Sequence, residues 1–267
     1  MKRISYTILG FAALLLVAST AFATPWANSV VLKTRIFNDC PGSVLIPTNT
    51  YPALVEFDED GLDCFGFANL HNWTLSQDGV NPHWYGNGDA FTLRATLVIS
   101  GNDVNGSEAG LRVGPWWSPN VDGRFNVRVP DGEIAAFGGV LPFYSFSDPG
   151  GFNLHYTKGN PISLEIQYDP RSNTVGDEGR VQYEVVYLGN TYTSPWLTFG
   201  NCTLGEEWHG CYGIMDNARL GGFAQHRLTN GDPSAHAVSS FFDIFFLNTA
   251  PTAVKASTWG TIKAIYR

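Results

Sequence analysis

Apolar and polar residues alternate with a period of two in several segments spread along the chain. These segments are Phe91–Ile99, Leu111–Val113, Phe125–Val129, Ile162–Tyr168, Val181–Tyr187 and Phe242–Phe246. A period of two places every second side chain on the same face of a strand, so each segment is predicted to be a half-buried strand. Almost no segment before residue 250 has the spacing of an amphipathic helix.

The dipeptide Asp131-Gly132 lies between two of these strands and is typical of a tight β-hairpin turn. Counting outward from it, we predict that Val129 pairs with Ile134 and that Val127 pairs with Ala136. These pairs put apolar residues opposite apolar residues. The hydrophobic pattern therefore agrees with the turn.

Strands separated by turns, with few helical segments between them, are typical of a two-sheet antiparallel β-sandwich. A second tight turn, at Gly189-Asn190, separates VQYEVVY from TYTSPW. We find no internal repeat and no low-complexity linker, so residues 24–250 are predicted to form one all-β domain of the jelly-roll type.

The chain begins with the features of a secretory signal peptide. Lys2 and Arg3 precede a mostly apolar stretch, residues 4–17, and Ala21-Phe22-Ala23 supplies small residues for cleavage after Ala23. We therefore predict a protein secreted by a bacterium. No later stretch approaches the roughly 20 apolar residues of a membrane-spanning helix.

The last segment, residues 251–267, has a different pattern. Trp259, Ile262 and Tyr266 follow a short amphipathic helical spacing, which Gly260 weakens. One interpretation is a terminal helix or strand docked on the sandwich. The other is a tail recognised during sorting or surface attachment.

Charge and cysteine content narrow the possible functions. The net charge is −8 with only 16 Lys and Arg residues and no basic run, which excludes a typical nucleic-acid-binding surface. Four cysteines allow three pairings, and we favour Cys40–Cys64 and Cys202–Cys211 because each closes a local loop in an exported chain. A zinc site needs closer Cys and His clustering, and His209 alone is a weak indication of a metal.

The later part of the chain resembles a concanavalin A-like lectin/glucanase domain. The resemblance rests on ISLEIQY (162–168), VQYEVVYLGNTYTSP (181–195), YGIMDNARLGG (212–222) and SSFFDIFFLN (239–248). It implies a jelly roll whose concave polar face or rim loops bind glycans, and it implies no particular reaction. A glucanase of this fold would resemble E-x-D-x-x-E on one strand; Glu56 and Asp58 fit, but Gly61 stands at the third position.

The acidic stretch EFDEDGLD, residues 56–63, resembles the start of a calcium loop. Glu56, Asp58, Asp60 and Asp63 offer carboxylate oxygens around a glycine turn, which suits calcium, the one cofactor we consider. The twelfth position of such a loop is Phe67 rather than an acid. The alternative is a solvated acidic turn beside a disulfide.

Two carboxylates are predicted to face each other on a polar surface. If Tyr168 pairs with Val181, Glu165 lies opposite Glu184. Like charges opposed across a sheet are destabilising, so the pair suggests metal or ligand binding, or the paired carboxylates of a retaining glycosidase. Alternatively, one of three arginines neutralises the pair: Arg94, Arg112 or Arg128.

The candidate ligand-binding residues are Trp116, Trp117, Asp216, Asn217 and Arg219. The tryptophans lie in VGPWWSPNVDGRF, which links two strands; we expect Trp117 to be exposed and Trp116 to face inward. The other residues lie in GIMDNARLGG, predicted to be a loop, where they would contact sugar hydroxyls or carboxylates. The alternative for these residues is turn capping.

These observations favour a secreted, non-catalytic, lectin-like protein whose partner is a polysaccharide or another surface glycan. One alternative is a structural or adhesive surface protein without a small ligand. The other is an enzyme, a polysaccharide hydrolase or lyase that uses Glu165 and Glu184. No serine-nucleophile motif or phosphate-binding loop is present in the sequence.

Overall fold

The computed structural model describes residues 27–103, 105–174, 176–200, 213–214 and 217–248. All regular elements in this part of the chain are strands, and they form two antiparallel sheets packed face to face. The predicted all-β sandwich is therefore confirmed. The predicted signal peptide, the C-terminal segment 251–267, the Cys202–Cys211 pair and Asp216 lie outside the described residues.

Fifteen strands are present in the described residues. In chain order they are β1 (Ser29–Lys33), β2 (Val44–Asn49), β3 (Leu54–Asp60), β4 (Ala68–Ser76), β5 (Phe91–Gly101), β6 (Glu108–Gly114), β7 (Arg124–Arg128), β8 (Ile134–Phe137), β9 (Tyr144–Ser145), β10 (Ile162–Asp169), β11 (Arg180–Tyr187), β12 (Asn190–Thr193), β13 (Leu197–Thr198), β14 (Arg219–Arg227) and β15 (His236–Asn248). Sheet A has the order β1-β4-β14-β6-β7-β8-β9. Sheet B has the order β12-β11-β10-β5-β15-β3-β2, with β13 paired to β11.

Each segment with period-two alternation is a strand or lies largely within one. The register in which Glu165 faces Glu184 is confirmed, because Tyr168 pairs with Val181. The register predicted after Asp131-Gly132 is wrong by two residues: Ile134 pairs with Val127 instead of Val129. The backbone hydrogen bond from Arg128 N to Glu133 O closes a longer connection than a two-residue turn. A shift of two residues keeps the same faces inward, so the pattern of apolar residues did not reveal it.

Some of the strands that sequence alternation missed, or found only in part, are buried on both faces. Strands β4 and β6 are buried at every position, and β14 at all positions but its two ends. Strand β14 contains Gly221 and Gly222 because the neighbouring strand lies too close for a side chain. A Cβ atom at Gly221 would lie 2.0 Å from Trp73 O, and one at Gly222 would lie 2.4 Å from the Trp73 indole nitrogen. The loop predicted over residues 213–222 is therefore wrong from Arg219 onward.

The interior between the sheets is apolar except at one end. Large buried residues such as Trp73, Tyr183 and Phe241 fill it, and the predicted Cys40–Cys64 disulfide is present beside Leu62. Within the described ranges, no helix is long and apolar enough to cross a membrane.

Candidate functional site

The outer face of sheet A, turned away from sheet B, brings several arginines together. Strand pairing places Arg112 of β6 directly opposite Arg124 of β7 and beside Gly221 of β14. Opposed like charges in a sheet are destabilising by a few tenths to about 1 kcal/mol. No ion pair joins either guanidinium to a carboxylate in the described part of the chain.

Arg112 is almost completely buried, with 1% of its surface exposed. One guanidinium nitrogen, Nη2, donates to Pro119 O, while Nη1 has no hydrogen-bond partner among the described residues. Burial, followed by repulsion from Arg124 and Arg219, lowers the pKa of Arg112 to about 9. Arg112 is therefore still charged at neutral pH, at an unusually high cost in solvation.

Arg124 lies half-buried next to Arg112. Its Nε donates to Val121 O at 2.8 Å and its Nη1 to Gln225 Oε1 at 3.1 Å, and its guanidinium lies over the Phe223 ring. All these hydrogen-bond partners are neutral. Burial lowers the pKa of Arg124, while attraction from Glu108 and Asp122 partly opposes that effect without forming an ion pair. The guanidinium is therefore held in place with capacity to contact an anion.

Two more arginines lie at the ends of β14, and each stacks on an aromatic ring. Arg219 lies 4.1 Å from the centre of the Trp84 ring, and Arg227 lies 4.1 Å from the centre of the Phe67 ring. In both, Nε is buried without a partner in the described residues. Arg227 also faces Glu108 at 3.6 Å, whereas Arg219 has no such carboxylate there.

Two amides on the same outer face also have incomplete hydrogen bonding. Asn72 donates to Asn120 O, and Asn126 donates to Glu108, but the Oδ1 atom of each has no partner among the described residues. Buried polar atoms without partners are uncommon and need an explanation. We call this surface the arginine face; it consists of Asn72, Glu108, Arg112, Arg124, Asn126, Arg219, Phe223, Gln225 and Arg227.

The segment between β6 and β7 folds back over the arginine face, and it contains the paired tryptophans. Its main-chain carbonyls at Pro119, Asn120 and Val121 accept the side-chain hydrogen bonds described above. Trp116 is the more exposed of the pair, at 46%, and its ring meets that of Trp117 edge to face at 5.8 Å. The expectation that Trp117 is the exposed member is wrong, because both tryptophans lie inside the turn that Ser118 N closes by donating to Pro115 O, rather than on an extended strand.

The remaining ligand-binding candidates among the described residues belong to a strand and to a turn. Arg219 belongs to strand β14 and to the arginine face. Asn217 is exposed and adopts a left-handed backbone conformation, with φ of 65°. That conformation is the one expected of a turn residue.

Glu165 and Glu184 lie on the outer face of the other sheet. Arg94 pairs with Glu165 in register and approaches it to 3.7 Å, while Gln167 donates to Glu165 and Thr193 to Glu184. Of the three arginines considered as neutralising partners, Arg94 fills this role, whereas Arg112 and Arg128 belong to sheet A. The pair is a charge-balanced surface feature.

The acidic stretch 56–63 is a strand up to Asp60 rather than a loop. Glu56, Asp58 and Asp60 project outward from β3. Glu56 accepts from Ser240, and Asp58 lies 2.8 Å from His236 Nε2. Asp63 is occupied elsewhere, because it accepts from Gly231 N. The loop that would surround a calcium ion does not form, although Asp58, Asp60 and His236 remain close enough to share an ion.

The residue between the two aspartates, Glu59, points into the interior and was missed by sequence reasoning. It is completely buried, and its carboxylate accepts hydrogen bonds from Ser43, Asn69, His71 and His226. Burial alone would raise the pKa of Glu59, but the hydrogen bonds from His226 and His71 hold it far below the usual range.

Glu59, His71 and His226 are also arranged closely enough to hold a metal ion. However, His71 Nδ1 accepts a hydrogen bond from the Arg35 backbone N–H at 3.1 Å, so the proton of the neutral ring lies on Nε2. That Nε2–H donates to Glu59 at 2.9 Å. Since Nε2 has no lone pair to offer, these residues form a hydrogen-bonded structural cluster, which we call the Glu59 cluster.

Comparisons with known proteins place the fold among similar solved structures. No protein-family model matches, and a search of curated proteins finds no match. Similar solved structures include several alginate lyases. That from Pseudomonas aeruginosa has a TM-score of 0.45 at 14% identity, covering 73% of this chain and 82% of its own. That from Klebsiella pneumoniae has a TM-score of 0.44 at 11% identity, covering 77% and 85%. That from Corynebacterium sp. has a TM-score of 0.42 at 9% identity, covering 83% and 94%.

The prediction of a non-catalytic, lectin-like protein is not supported, because the similar solved structures described above are alginate lyases. Of the residues predicted to contact a glycan, Arg219 lies on a strand and Asn217 on an exposed turn. At these identities and TM-scores no individual residue is transferred from the alginate lyases to this chain.

Sequence reasoning recognised one member of the arginine face as a ligand-binding residue, Arg219. It noted Arg112 only as a possible counter-charge for the glutamates. The sequence does contain an indication: the alternation in GLRVG and RFNVR puts an arginine on the polar face of two consecutive strands. That these arginines are opposed and buried depends on the packing of the 115–122 segment, which no local pattern encodes.

Proposed function

We propose that the protein is a polysaccharide lyase that cleaves a uronic-acid-containing polysaccharide at the arginine face. The observation that carries this proposal is the opposed pair of a buried Arg112 and a half-buried Arg124, neither of which forms an ion pair with a carboxylate of the described residues. Such an arrangement costs folding free energy. Binding a carboxylate of the substrate would recover it, because each arginine is matched in shape and charge to that group.

Elimination on a uronic acid begins when a base, here supplied by solvent, takes the proton from the carbon next to the carboxylate, and the leaving sugar oxygen takes up a proton from solvent. Negative charge then accumulates on the carboxylate oxygens, until the bond to the leaving sugar oxygen breaks and a carbon–carbon double bond forms. Fixed positive charges in a partly dry site stabilise that developing charge. Arg124 and Arg219 are placed to contact the carboxylate, while Arg112 adds its charge from beneath the 115–122 segment.

A hydrolase that uses Glu165 and Glu184 is not supported by the same reasoning. Retaining hydrolysis needs two carboxylates with different roles, one of them protonated. Here Arg94 and Gln167 already contact Glu165, and Thr193 already donates to Glu184, so the pair is engaged by the fold itself. The pair also lies on the sheet opposite the arginine face.

The test is to incubate the purified secreted chain with polygalacturonate, alginate, hyaluronan and a neutral β-glucan. Elimination creates a conjugated double bond that absorbs ultraviolet light, whereas hydrolysis creates reducing ends without it. We expect ultraviolet-absorbing product from at least one anionic polymer and none from the glucan. Reducing ends without absorbance, or no product from any anionic polymer, would contradict the proposal.

The matched variants are Arg124→Ala on the arginine face and Arg94→Ala on the other sheet. Each removes one half-exposed or exposed arginine from an outer face. Loss of activity in Arg124→Ala alone supports the proposed site. Equal loss in both variants would contradict it, since only general destabilisation or net charge would then explain the effect.

The wider setting of the proposal follows from the predicted signal peptide and the sandwich fold. We propose that the chain is exported and meets its polysaccharide outside the cell. We also assign the sandwich to the concanavalin A-like superfamily, on the order of strands from β10 to β15 that carried the resemblance.

A further inference from the structure

A cleft of about 350 Å³ opens at the β8–β9 end of the outer face of sheet A. Its lining consists of Asp131, Glu133, Phe143, Ser145, Ser147, Asp148, Pro149 and His155. We call it the acidic cleft. None of these residues belongs to the arginine face.

The acidic cleft carries the opposite charge to the arginine face. Three carboxylates line it, those of Asp131, Glu133 and Asp148. Arg128 donates a hydrogen bond to Asp131 and lies 3.2 Å from Glu133. The hydrogen bond from Arg128 lowers the pKa of Asp131, so Asp131 is ionised at neutral pH. A second carboxylate entering this cleft would therefore be repelled.

The cleft also offers the groups that recognise an uncharged sugar. Phe143 exposes 69% of its surface, which leaves a ring face available to stack on a pyranose. His155 Nδ1 lies 3.2 Å from Asp131 O, and because a carbonyl only accepts, the ring proton is on Nδ1. His155 Nε2 is then an acceptor, as are the carboxylates, and sugar hydroxyls are the donors that suit such a lining.

Strand pairing connects the two regions in one row. Asn126 of β7 pairs with Ala135 of β8, which pairs with Ser145 of β9 in the cleft wall. Two strand spacings separate Asn126 from Ser145, about 10 Å. Asn126 is 2% exposed, and its Oδ1 acceptor lacks a hydrogen-bond partner among the described residues. Asn126 therefore marks a polar position between the arginine face and the acidic cleft.

From this juxtaposition we propose that the acidic cleft binds an uncharged sugar residue of the same chain whose uronic acid occupies the arginine face. The substrate is then a mixed polysaccharide in which uronic acids are interspersed with uncharged sugars. A polymer that carries a carboxylate on every residue would place one in the acidic cleft. This inference rests on the proposed function and adds the class of substrate to it.

The test is calorimetric titration of the wild-type chain with three hexasaccharides of matched length. The probes are an oligogalacturonate, with a carboxylate on every residue; a hyaluronan hexamer, with one on alternate residues; and an N-acetylglucosamine hexamer, with none. We expect the alternating hexamer to bind at least tenfold more tightly than the other two. Equal or tighter binding of the oligogalacturonate would overturn the inference and leave the proposed function standing.

Variants of the cleft provide the second readout. The double change Glu133→Gln and Asp148→Asn is expected to increase oligogalacturonate affinity several-fold, and Phe143→Ala to weaken only the alternating hexamer. Glu165→Gln on sheet B is the control for loss of a negative charge and should change neither affinity. If the cleft variants behave like this control, the inference is wrong. If no anionic hexamer binds the wild type, both it and the proposed function fail.

Discussion

The Glu59 cluster and the arginine face both contain a buried charge, but they differ in how far hydrogen bonds and opposite charges compensate it. Glu59 accepts hydrogen bonds from four side chains, and Arg35 approaches it to 3.5 Å. Arg112 is buried to a similar extent, yet one of its nitrogens has no partner among the described residues, and Arg124 and Arg219 each affect it more strongly than Asp122 does. The first arrangement pairs its charge within the fold, whereas the second leaves net positive charge on the outer face of sheet A.

The Glu165–Glu184 pair provides a third case. It is also a pair of like charges opposed across two strands, but Arg94 lies beside it and forms an ion pair with Glu165. Opposed like charges are therefore a poor guide to function by themselves. What distinguishes Arg112 and Arg124 is that burial limits screening by water and that no carboxylate of the described chain forms an ion pair with either, although Asp122 attracts both and Glu108 attracts Arg124.

The largest effect that we expect from a single substitution is loss of stability in Glu59→Ala. It leaves two buried imidazoles and Arg35 without their acceptor, and breaking a buried ionic cluster costs about 3–5 kcal/mol. Chemical denaturation of the variant and the wild type measures the difference. Glu56→Ala, on the solvent side of the same strand, is the control and should change stability by less than about 0.5 kcal/mol.

The same comparison has a defined dependence on pH. The pKa of Glu59 is far below its usual value of 4.5, so its contribution to stability is present above pH 4.5 and is lost as the pH falls below it. The difference between wild type and Glu59→Ala should therefore shrink in acid. A difference that stays constant from pH 7 to pH 3 would show that packing, rather than charge, accounts for the loss.

The second effect in size is loss of activity in Arg124→Ala. Removing one positive group that stabilises a developing oxyanion typically lowers the rate by about 100- to 1,000-fold. Since the charge of Arg124 is not used to hold the fold together through an ion pair, we expect its melting temperature to change little. If the variant is inactive and its melting temperature has also fallen by several degrees, Arg124 is a structural residue, as Glu59 is.

The third effect combines a gain and a loss in Arg112→Met. Methionine fills a similar volume without a buried charge, and such replacements stabilise proteins by about 1–4 kcal/mol. Because the pKa of Arg112 is lowered to about 9, the charged side chain destabilises the fold below pH 9, and this cost decreases as the pH rises above 9. The variant should be more stable and less active at pH 7, with the gain in stability declining in alkali. A less stable variant at pH 7 would refute the interpretation of Arg112 as an unpaired buried charge.

How far the sequence predicts this molecule depends on whether a strand has a polar face. Strands β5, β10 and β11 alternate and were predicted, and the register between β10 and β11, with Glu165 opposite Glu184, was predicted as well. Strands β4 and β14 are buried on both faces, so their sequences lack alternation and resemble loops or turns. For the same reason the sequence does not reveal most of the arginine face. Part of it belongs to β14, and the 115–122 segment covers another part.

Charged residues within one short stretch can be exposed or buried, and composition does not reveal which. In EFDEDGLD the outward residues Glu56, Asp58 and Asp60 drew attention as metal ligands, while Glu59 between them is the buried one. Reading the stretch as a strand places Glu59 on the same side as Val55 and Phe57. The deciding information is that His71 and His226, distant in sequence, meet Glu59 between the sheets.

The smallest effect is expected for Glu184→Gln, which removes one of the two opposed carboxylates of sheet B. Relief of repulsion between charges across neighbouring strands is worth a few tenths to about 1 kcal/mol. Part of it is already offset, because Arg94 lies beside Glu165. We therefore expect a stability gain of about 0.5 kcal/mol or less at low salt, vanishing at high salt, with unchanged activity. A loss of activity in this variant would contradict the assignment of the active site to the arginine face. It would instead indicate that Glu165 and Glu184 take part in the reaction.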